Sequence, residues 1–257
     1  NFVGLQKDES LAVVVPVREF HEDASLLTVT KRGKVKRTLL DAYANIRQTG
    51  IVAVGLDDGD ELLDACVVRD NDEIMLGTAK GMSIRFSLND LRAMGRSAAG
   101  VKGIDLREGD RLVGVGVITD PEKQEVLAIS ENGYGKRTAV SEHRVQSRAG
   151  KGIIAMDCSE RNGELVRLAL VEPEDQLIVI TDGGQIIRTR VHEIRRAGRN
   201  TQGVIVIRLR GKEKVVDVAR IAAAHVDELD EASEQASSEA RDDGIVTGQD
   251  EGLSSDE

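Results

Sequence analysis

The stretch Ser130–Ile154, SENGYGKRTAVSEHRVQSRAGKGII, decides the fold of this chain of 257 residues. It contains a glycine-centred turn, then a basic strand, and then a second turn built on Gly150, Lys151 and Gly152. Segments before and after it follow the same plan, which indicates an internal repeat. Two kinds of landmark set the copies in register.

The first landmark is a Ser/Thr-x-x-Gly turn with an arginine four residues after the glycine. The turn glycines are Gly33, Gly81, Gly133 and Gly184, which lie 48, 52 and 51 residues apart. The arginines are Arg37, Arg85, Arg137 and Arg188. The second landmark, Arg-x-x-x-Gly before an apolar residue, occurs at Arg96–Gly100, Arg148–Gly152 and Arg199–Gly203, with a shorter copy at Arg47–Gly50. A shared period of about fifty residues is typical of one four-stranded propeller blade.

The predicted fold is therefore all-β, a propeller-like pinwheel with about four to five blades. We expect the array to occupy residues 1–225, in blades at roughly 1–46 (partial), 47–95, 96–147, 148–198 and 199–225 (partial). Predicted strands include one at 51–56, and helical pattern is limited to about one turn at 39–46, 88–94 and 192–197. The chain starts mid-pattern without a methionine, which suggests a fragment of a longer protein.

The charge distribution divides the chain into two parts. The net charge is −10, but residues 226–257 alone contain 12 Asp or Glu and one Arg. The remaining residues, 1–225, hold 33 acidic and 34 basic side chains and are nearly neutral. The acidic end is poor in large apolar residues and buries too little surface to offset its ordering entropy, so we predict a disordered tail at 226–257. Such a tail either competes with nucleic acid for basic surface or serves as a solubilising segment.

Composition excludes several classes of protein. Aromatic residues make up 2% of the chain and Trp is absent, which argues against single-strand binders that stack bases on rings. The two cysteines, Cys66 and Cys158, are interpreted as buried thiols of a reducing cytoplasm. No apolar run approaches about 18 residues, so we expect no membrane span.

The repeated basic residues are the candidate binding site. If the blades surround an axis, equivalent positions form a curved track of cations along an outer rim, which suits a bent duplex held by its phosphates. The candidate contacts are Lys31, Arg32, Lys34, Lys36, Arg37, Arg47, Lys80, Arg85, Arg96, Lys102, Lys136, Arg137, Arg148, Lys151, Arg188, Arg190 and Arg199, with Arg195 and Arg196 nearby.

A structural role for the same arginines stays open. Each turn arginine is followed four or five residues later by an acid, namely Asp41, Asp90, Glu142 or Glu193, and an internal ion pair is the alternative. Catalysis has little support, because the four histidines lie in separate repeats or linkers and show no metal-ligand spacing. Residues 133–138 lack the spacing of a phosphate-binding loop. We therefore predict no catalytic and no metal site.

Several stretches resemble a known family. They are Gly133–Val140, Ser147–Gly152, Ala93–Gly95 with Gly100–Ile104, and Gly198–Val204. Together they are similar to the C-terminal β-pinwheel domain of DNA gyrase A, over residues 1 to about 222. The family's signature box, QRRGGKG, is matched at Gln146–Gly152 in five of seven letters, with differences at Ser147 and Ala149. We expect the full box in an earlier blade outside this chain.

The resemblance implies a six-bladed pinwheel in the full domain, with duplex DNA wrapped around its basic outer rim. It implies a bacterial, cytoplasmic, nucleoid-associated type II topoisomerase that introduces negative supercoils with ATP and Mg. The partners would be double-stranded DNA, the rest of gyrase A and gyrase B, in an A2B2 holoenzyme. This fragment would carry no cofactor and no catalytic residue. The alternatives are the C-terminal domain of the topoisomerase IV relative of gyrase A and a protein-interaction propeller that binds an acidic partner.

Overall fold

The structure is a computed structural model that describes residues 5, 7, 9–17, 19, 20, 23–45, 47 and 50–225. The predicted tail, 226–257, lies outside the described residues. Within them the chain is all-β, as predicted, with no α-helix and no helix long and apolar enough to cross a membrane. Short 3₁₀ turns occupy Leu40–Tyr43, Leu88–Asp90, Val140–Glu142, Val191–Glu193 and Ala223–His225.

Fifteen strands are present in the described chain. They are β1 (Ala24–Thr30), β2 (Lys34–Leu39), β3 (Leu62–Arg69), β4 (Glu73–Thr78), β5 (Met82–Ser87), β6 (Val101–Lys102), β7 (Leu112–Ile118), β8 (Glu125–Ser130), β9 (Tyr134–Ala139), β10 (Ile153–Ile154), β11 (Leu165–Val171), β12 (Gln176–Thr181), β13 (Ile186–Arg190), β14 (Val204–Ile205) and β15 (Val215–Ile221).

The strands form four antiparallel sheets that share one plan. Sheet A has the order β3-β1-β2-β6, sheet B β7-β4-β5-β10, and sheet C β11-β8-β9-β14, while sheet D contains β15-β12-β13. The central pair in each sheet is a hairpin from one repeat. On one side of the hairpin lies the strand that follows it in the chain, namely β3, β7, β11 or β15. On the other side, in sheets A, B and C, lies a two-residue strand (β6, β10 or β14) that follows the next hairpin in the chain. Neighbouring sheets are therefore tied together by strands that later repeats supply.

The hairpin turns explain the first sequence landmark. In sheet A the Gly33 amide donates to the Thr30 carbonyl at 3.0 Å, and the Lys34 amide donates to Thr30 Oγ1 at 3.1 Å. Gly33 has φ +85°, a conformation that glycine adopts without steric cost. Three-residue hairpin loops of this kind place a glycine at the left-handed position. The Ser/Thr-x-x-Gly pattern is thus a turn requirement.

The inner strands β3, β7, β11 and β15 pack against one another in that order. Residues of all four strands line an open pocket of about 410 Å³. Arg167 of β11 reaches Asp64 of β3 with an N–O distance of 3.8 Å. The approach of β7 to β11 is close, since a Cβ on Gly114 would lie 1.9 Å from the Leu168 carbonyl oxygen. Buried aliphatic side chains fill the space between sheets.

Three details of the secondary structure differ from prediction. The prediction of a strand at 51–56 is wrong, because these residues pair with no strand in the described chain and Val52 is 64% exposed. The one-turn helical patterns are confirmed at three places as 3₁₀ turns, although each turn is shorter than its predicted segment. The turns at Val140–Glu142 and Ala223–His225 were not predicted.

Candidate nucleic-acid interface

The outer edge of each of sheets A, B and C is covered by a segment from the next repeat. We call these edge segment A (93–102), edge segment B (145–154) and edge segment C (196–205). Each begins with a parallel bridge to a hairpin arginine, namely Ala93 to Arg37, Val145 to Arg85 and Arg196 to Arg137. Each ends in the two-residue strand β6, β10 or β14, which runs antiparallel to the same hairpin. Between these two contacts the chain reverses its direction, and the Arg-x-x-x-Gly motif forms this reversal.

The glycine that ends each reversal has no room for a side chain. Gly100, Gly152 and Gly203 have φ of +84°, +71° and +76°. A Cβ on them would lie 2.5 Å from Val35 O, 2.4 Å from Ser83 O and 2.7 Å from Gly135 O, respectively. At this glycine the backbone of the edge segment therefore packs directly against the backbone of the hairpin, which leaves room only for glycine.

Replacement of Gly152 by alanine is expected to destabilise the protein by about 2 kcal/mol more than replacement of Gly50. Both positions have positive φ, but a Cβ on Gly50 would have no neighbouring atom within 4 Å, whereas a Cβ on Gly152 would meet Ser83 O. The difference between the two losses of stability therefore reports the contact between edge segment B and its hairpin alone. Urea denaturation of Gly152→Ala and Gly50→Ala measures it, and equal losses would contradict the contact.

The motif arginines connect successive edge segments. Arg148 donates from Nη1 to the Lys102 carbonyl at 3.2 Å and from Nε to the Asp90 carbonyl at 3.1 Å. Arg199 donates from Nη1 to the Ile154 carbonyl at 2.6 Å. Both residues are half-buried, as is Arg96. Each of the two bonded guanidiniums thus touches the edge segment before its own.

The turn arginines are internal. Arg37, Arg85 and Arg137 have side chains only 12%, 11% and 12% exposed, and they pair with Asp70, Glu73 and Glu125. The alternative partners Asp41, Asp90 and Glu142 are therefore wrong for these three arginines. The hairpin register places each turn arginine beside the residue twelve positions earlier. That residue is Ser25, Glu73, Glu125 or Gln176.

Two of these arginines also join neighbouring repeats. Arg85 donates to the carbonyls of Val140 and His143, each at 3.1 Å. Arg137 donates to the Ile194 carbonyl at 2.7 Å and the His192 carbonyl at 3.1 Å. Since their donors are occupied inside the protein, these side chains hold the sheets together.

Lys36 and Lys136 do not lie on the predicted rim. They are 1% and 0% exposed, because edge segments A and C close over them. Burial is the main cause that lowers the pKa of each ammonium to about 8. The positive charge of Arg96 adds to this effect at Lys36, and at Lys136 the charge of Glu142 opposes it while that of Arg199 adds to it.

The basic residues at the hairpin turns face acidic turns of the next repeat. Lys31 pairs with Glu61 at 2.6 Å and Lys34 with Asp57 at 2.5 Å. Lys80 donates to the Glu108 carbonyl at 2.6 Å, and Arg32 donates to the Asp58 carbonyl at 2.8 Å. Lys31 and Lys34 are thus partly neutralised by acidic partners, while Lys80 and Arg32 are bound to backbone carbonyls of the same acidic turns.

The other predicted contacts are exposed. They are Arg47, Lys102, Lys151, Arg188 and Arg190. Lys102 also pairs with Asp105 at 2.9 Å, and the Arg188 Nε donates to Gln176 Oε1 at 2.5 Å. Lys102 and Lys151 lie on edge segments A and B, and Arg188 and Arg190 lie on the outer strand of sheet D.

The structure adds one repeated set of exposed arginines. Arg92, Arg144 and Arg195 each stand immediately before an edge segment, and all three are exposed. The candidate contacts omit Arg92 and Arg144 and place Arg195 only nearby. Their spacing of 52 and 51 residues matches the glycine landmarks, so the repeat register would have found them.

His143 is a buried titratable group beneath edge segment B. It is 1% exposed, and its Nδ1 lies 3.0 Å from Ser83 Oγ. Burial lowers the pKa of His143 to about 4, with help from the positive charges of Arg199, Lys136 and Arg85. The imidazole is therefore neutral in the folded protein at neutral pH.

His143 is expected to make the fold sensitive to acid. Its folded pKa of about 4 lies below an unfolded value of about 6.5, so its contribution is fully present above pH 6.5 and is lost as the pH falls towards 4. Wild-type protein should lose about 3 kcal/mol more than His143→Gln over this range. Denaturant titrations at several pH values measure it, with exposed His192→Gln as control. Parallel curves for wild type and His143→Gln would contradict the assignment.

Other reactive groups are few among the described residues. Cys66 and Cys158 are free thiols, as predicted, although both are half-buried and not fully buried. Burial raises their pKa values to about 12 and about 11. No cluster of three or more metal-ligating side chains occurs in the part of the chain that the structure describes.

Four consecutive stretches of the chain match the family described as DNA gyrase C-terminal domain, beta-propeller. The matched residues are 24–69, 72–119, 124–172 and 175–222. The A subunit of DNA gyrase from Escherichia coli is 44% identical over 230 residues, which is 90% of this chain and 26% of that protein. Its Salmonella typhimurium counterpart is 42% identical over 228 residues, 89% of this chain and 26% of the relative. The chain thus spans about a quarter of the length of these curated relatives.

Solved structures have the same fold. The crystal structure of the C-terminal domain of DNA topoisomerase IV superposes with a TM-score of 0.81 at 24% identity, covering 91% of this chain and 73% of that one. The DNA gyrase A C-terminal domain gives a TM-score of 0.75 at 25% identity, covering 86% and 73%.

Proposed function

The chain belongs to the DNA gyrase C-terminal domain family of β-propellers, and we propose that it binds duplex DNA along edge segments A, B and C and bends it around the outer edge of the sheets. One observation carries the proposal. Three segments of equal geometry cover the outer edges of successive sheets, and an exposed arginine stands at the start of each, namely Arg92, Arg144 and Arg195. Cations that recur at equivalent positions of successive sheets suit a bent duplex that is held by its phosphates.

The proposed contacts divide into two groups. The phosphate contacts are the exposed Arg92, Lys102, Arg144, Lys151 and Arg195, with Arg188 and Arg190 on sheet D. The half-buried Arg96, Arg148 and Arg199 support the edge segments and offer the unbonded part of their guanidinium groups. Arg37, Arg85, Arg137, Lys36 and Lys136 act inside the protein. The recognition is of backbone phosphate and carries no base sequence information.

In its whole protein, we propose, this module presents DNA to a type II topoisomerase. The curated relatives are named as A subunits of DNA gyrase, which supports a role beside gyrase B and the remainder of gyrase A in the cytoplasm. Cleavage, ATP hydrolysis and Mg binding would belong to those other regions. The topoisomerase IV likeness supports the shared fold and gives no separate function.

Salt dependence of duplex binding tests the proposal. The seven proposed phosphate contacts predict a slope of about −6 in a plot of log K against log salt, with little preference among sequences. Labelled duplexes of unrelated sequence, titrated by fluorescence anisotropy at several salt concentrations, measure both. Salt-insensitive binding would overturn the proposal. Preferential binding to an acidic protein surface would favour a protein-interaction propeller instead.

A further inference from the structure

Lys36 and Lys136 occupy the same position in two different sheets. Each lies three residues after its turn glycine, and each faces the neighbouring strand of its hairpin, at Thr28 and Ala128. Their burial is nearly complete. An ammonium group in such a place is costly unless its donors are satisfied.

The donors of both lysines are taken by carbonyls around the turn of an edge segment. Lys36 Nζ donates to the carbonyls of Arg96 and Ala53, both at 2.6 Å. Lys136 Nζ donates to the Gly198 carbonyl at 2.6 Å, the Arg199 carbonyl at 2.5 Å and Thr201 Oγ1 at 3.2 Å. In both cases one acceptor is the carbonyl of the arginine that opens the Arg-x-x-x-Gly motif.

Sheet B provides a natural comparison. Its equivalent residue is Ile84, which is fully buried and has no polar atom on its side chain. Beneath edge segment B stands instead the pair of Ser83 and His143. Two of the three edge segments are therefore held by a buried lysine, and the third is not.

We propose that Lys36 and Lys136 are positioning residues for the DNA interface, which fix edge segments A and C so that their exposed cations meet the phosphate backbone. This inference rests on the proposed function. The lysines touch no DNA themselves. They act by binding backbone carbonyls at the point where each edge segment reverses, and loss of those bonds frees the segment while the hairpin beneath stays paired.

The double variant Lys36→Met with Lys136→Met is expected to reduce the magnitude of the salt slope for duplex binding by about 2, one phosphate from each freed segment. The control Ile84→Met changes a buried side chain at the same position of sheet B and is expected to leave the slope unchanged. Lower stability alone does not alter this slope while the protein remains folded, so the readout separates positioning from general support. An unchanged slope in a folded double variant would overturn the inference.

The two proposals fail in different ways. If wild-type protein shows no salt-dependent duplex binding, the proposed function itself is wrong. If wild type binds and the double variant binds identically, only the positioning role is wrong.

A pH series on wild type supplies a second readout if the double variant does not fold. Lys36 is faced by Arg96, and Lys136 by Glu142, Arg199, Asp157 and Cys158. Affinity should fall as the pH rises through about 8, where each buried ammonium group loses its charge and one of its three donors and so binds the carbonyls more weakly. Exposed lysines keep their protons until about pH 10. A flat profile from pH 7 to 9 would overturn the inference.

Discussion

Replacement of Arg92, Arg144 and Arg195 together by alanine is expected to weaken duplex binding on the order of 100-fold at about 0.1 M salt, the largest effect that the structure predicts for binding. These side chains are exposed, and one stands at the start of each edge segment. Removing three phosphate contacts should also lower the magnitude of the salt slope by about 3. Stability should change little, because no hydrogen bond or ion pair of these three side chains is found within the described residues.

The matched control removes the same charge elsewhere. Arg69, Arg107 and Lys212 are exposed and lie outside the edge segments, and their replacement by alanine should weaken binding only slightly through the lower overall charge. Both triple variants are compared with wild type by anisotropy titration at several salt concentrations. Equal losses in the two variants would show that net charge, and not the edge segments, determines binding.

Replacement of Arg85 by methionine is expected to cost about 3 to 5 kcal/mol of unfolding free energy, the largest effect on stability. Arg85 and Glu73 form an ion pair in which both side chains are largely withdrawn from water. Loss of the arginine leaves the Glu73 carboxylate without its partner and leaves the carbonyls of Val140 and His143 without a donor. The sheets on either side lose a direct connection.

A second substitution separates these two losses. Adding Glu73→Leu to Arg85→Met removes the stranded carboxylate and should recover part of the lost stability, since replacing both members of a buried pair costs less than breaking it. The carbonyls stay unpaired, so recovery should be incomplete. Urea denaturation of the single and double variants measures this. Full recovery would show that the bonds to Val140 and His143 contribute nothing.

Much of the fold follows from local sequence. The Ser/Thr-x-x-Gly turns predict the hairpins because the left-handed glycine and the hydroxyl are requirements of the turn itself. The Arg-x-x-x-Gly motif predicts a second repeated turn, which the structure places in the edge segments. Their position at the outer edge of the sheets agrees with the outer rim that is expected of a propeller-like repeat. The extended segment 51–56 was misjudged, because an apolar run predicts a strand only where a partner strand is available.

The site was less predictable, since it depends on distant parts of the chain. The local sequence predicts Lys36 to be a surface residue of its strand. It is buried because edge segment A, some sixty residues later in the chain, covers it. Arg85 pairs with Glu73 because of the hairpin register, and not with Asp90, which is nearer in sequence. Arg92 and Arg144 are absent from the predicted contacts because neither lies inside a motif.

The central claim is that the chain bends duplex DNA around its outer edge, and the topology of a closed plasmid tests this most directly. A relaxed, closed plasmid is bound at low salt and relaxed again by a type I topoisomerase. It is then freed of protein and resolved on a gel. Wrapping predicts a linking-number shift that grows with the amount of bound protein and disappears in the Arg92, Arg144 and Arg195 triple variant. An unshifted topoisomer distribution at saturating protein would contradict the claim.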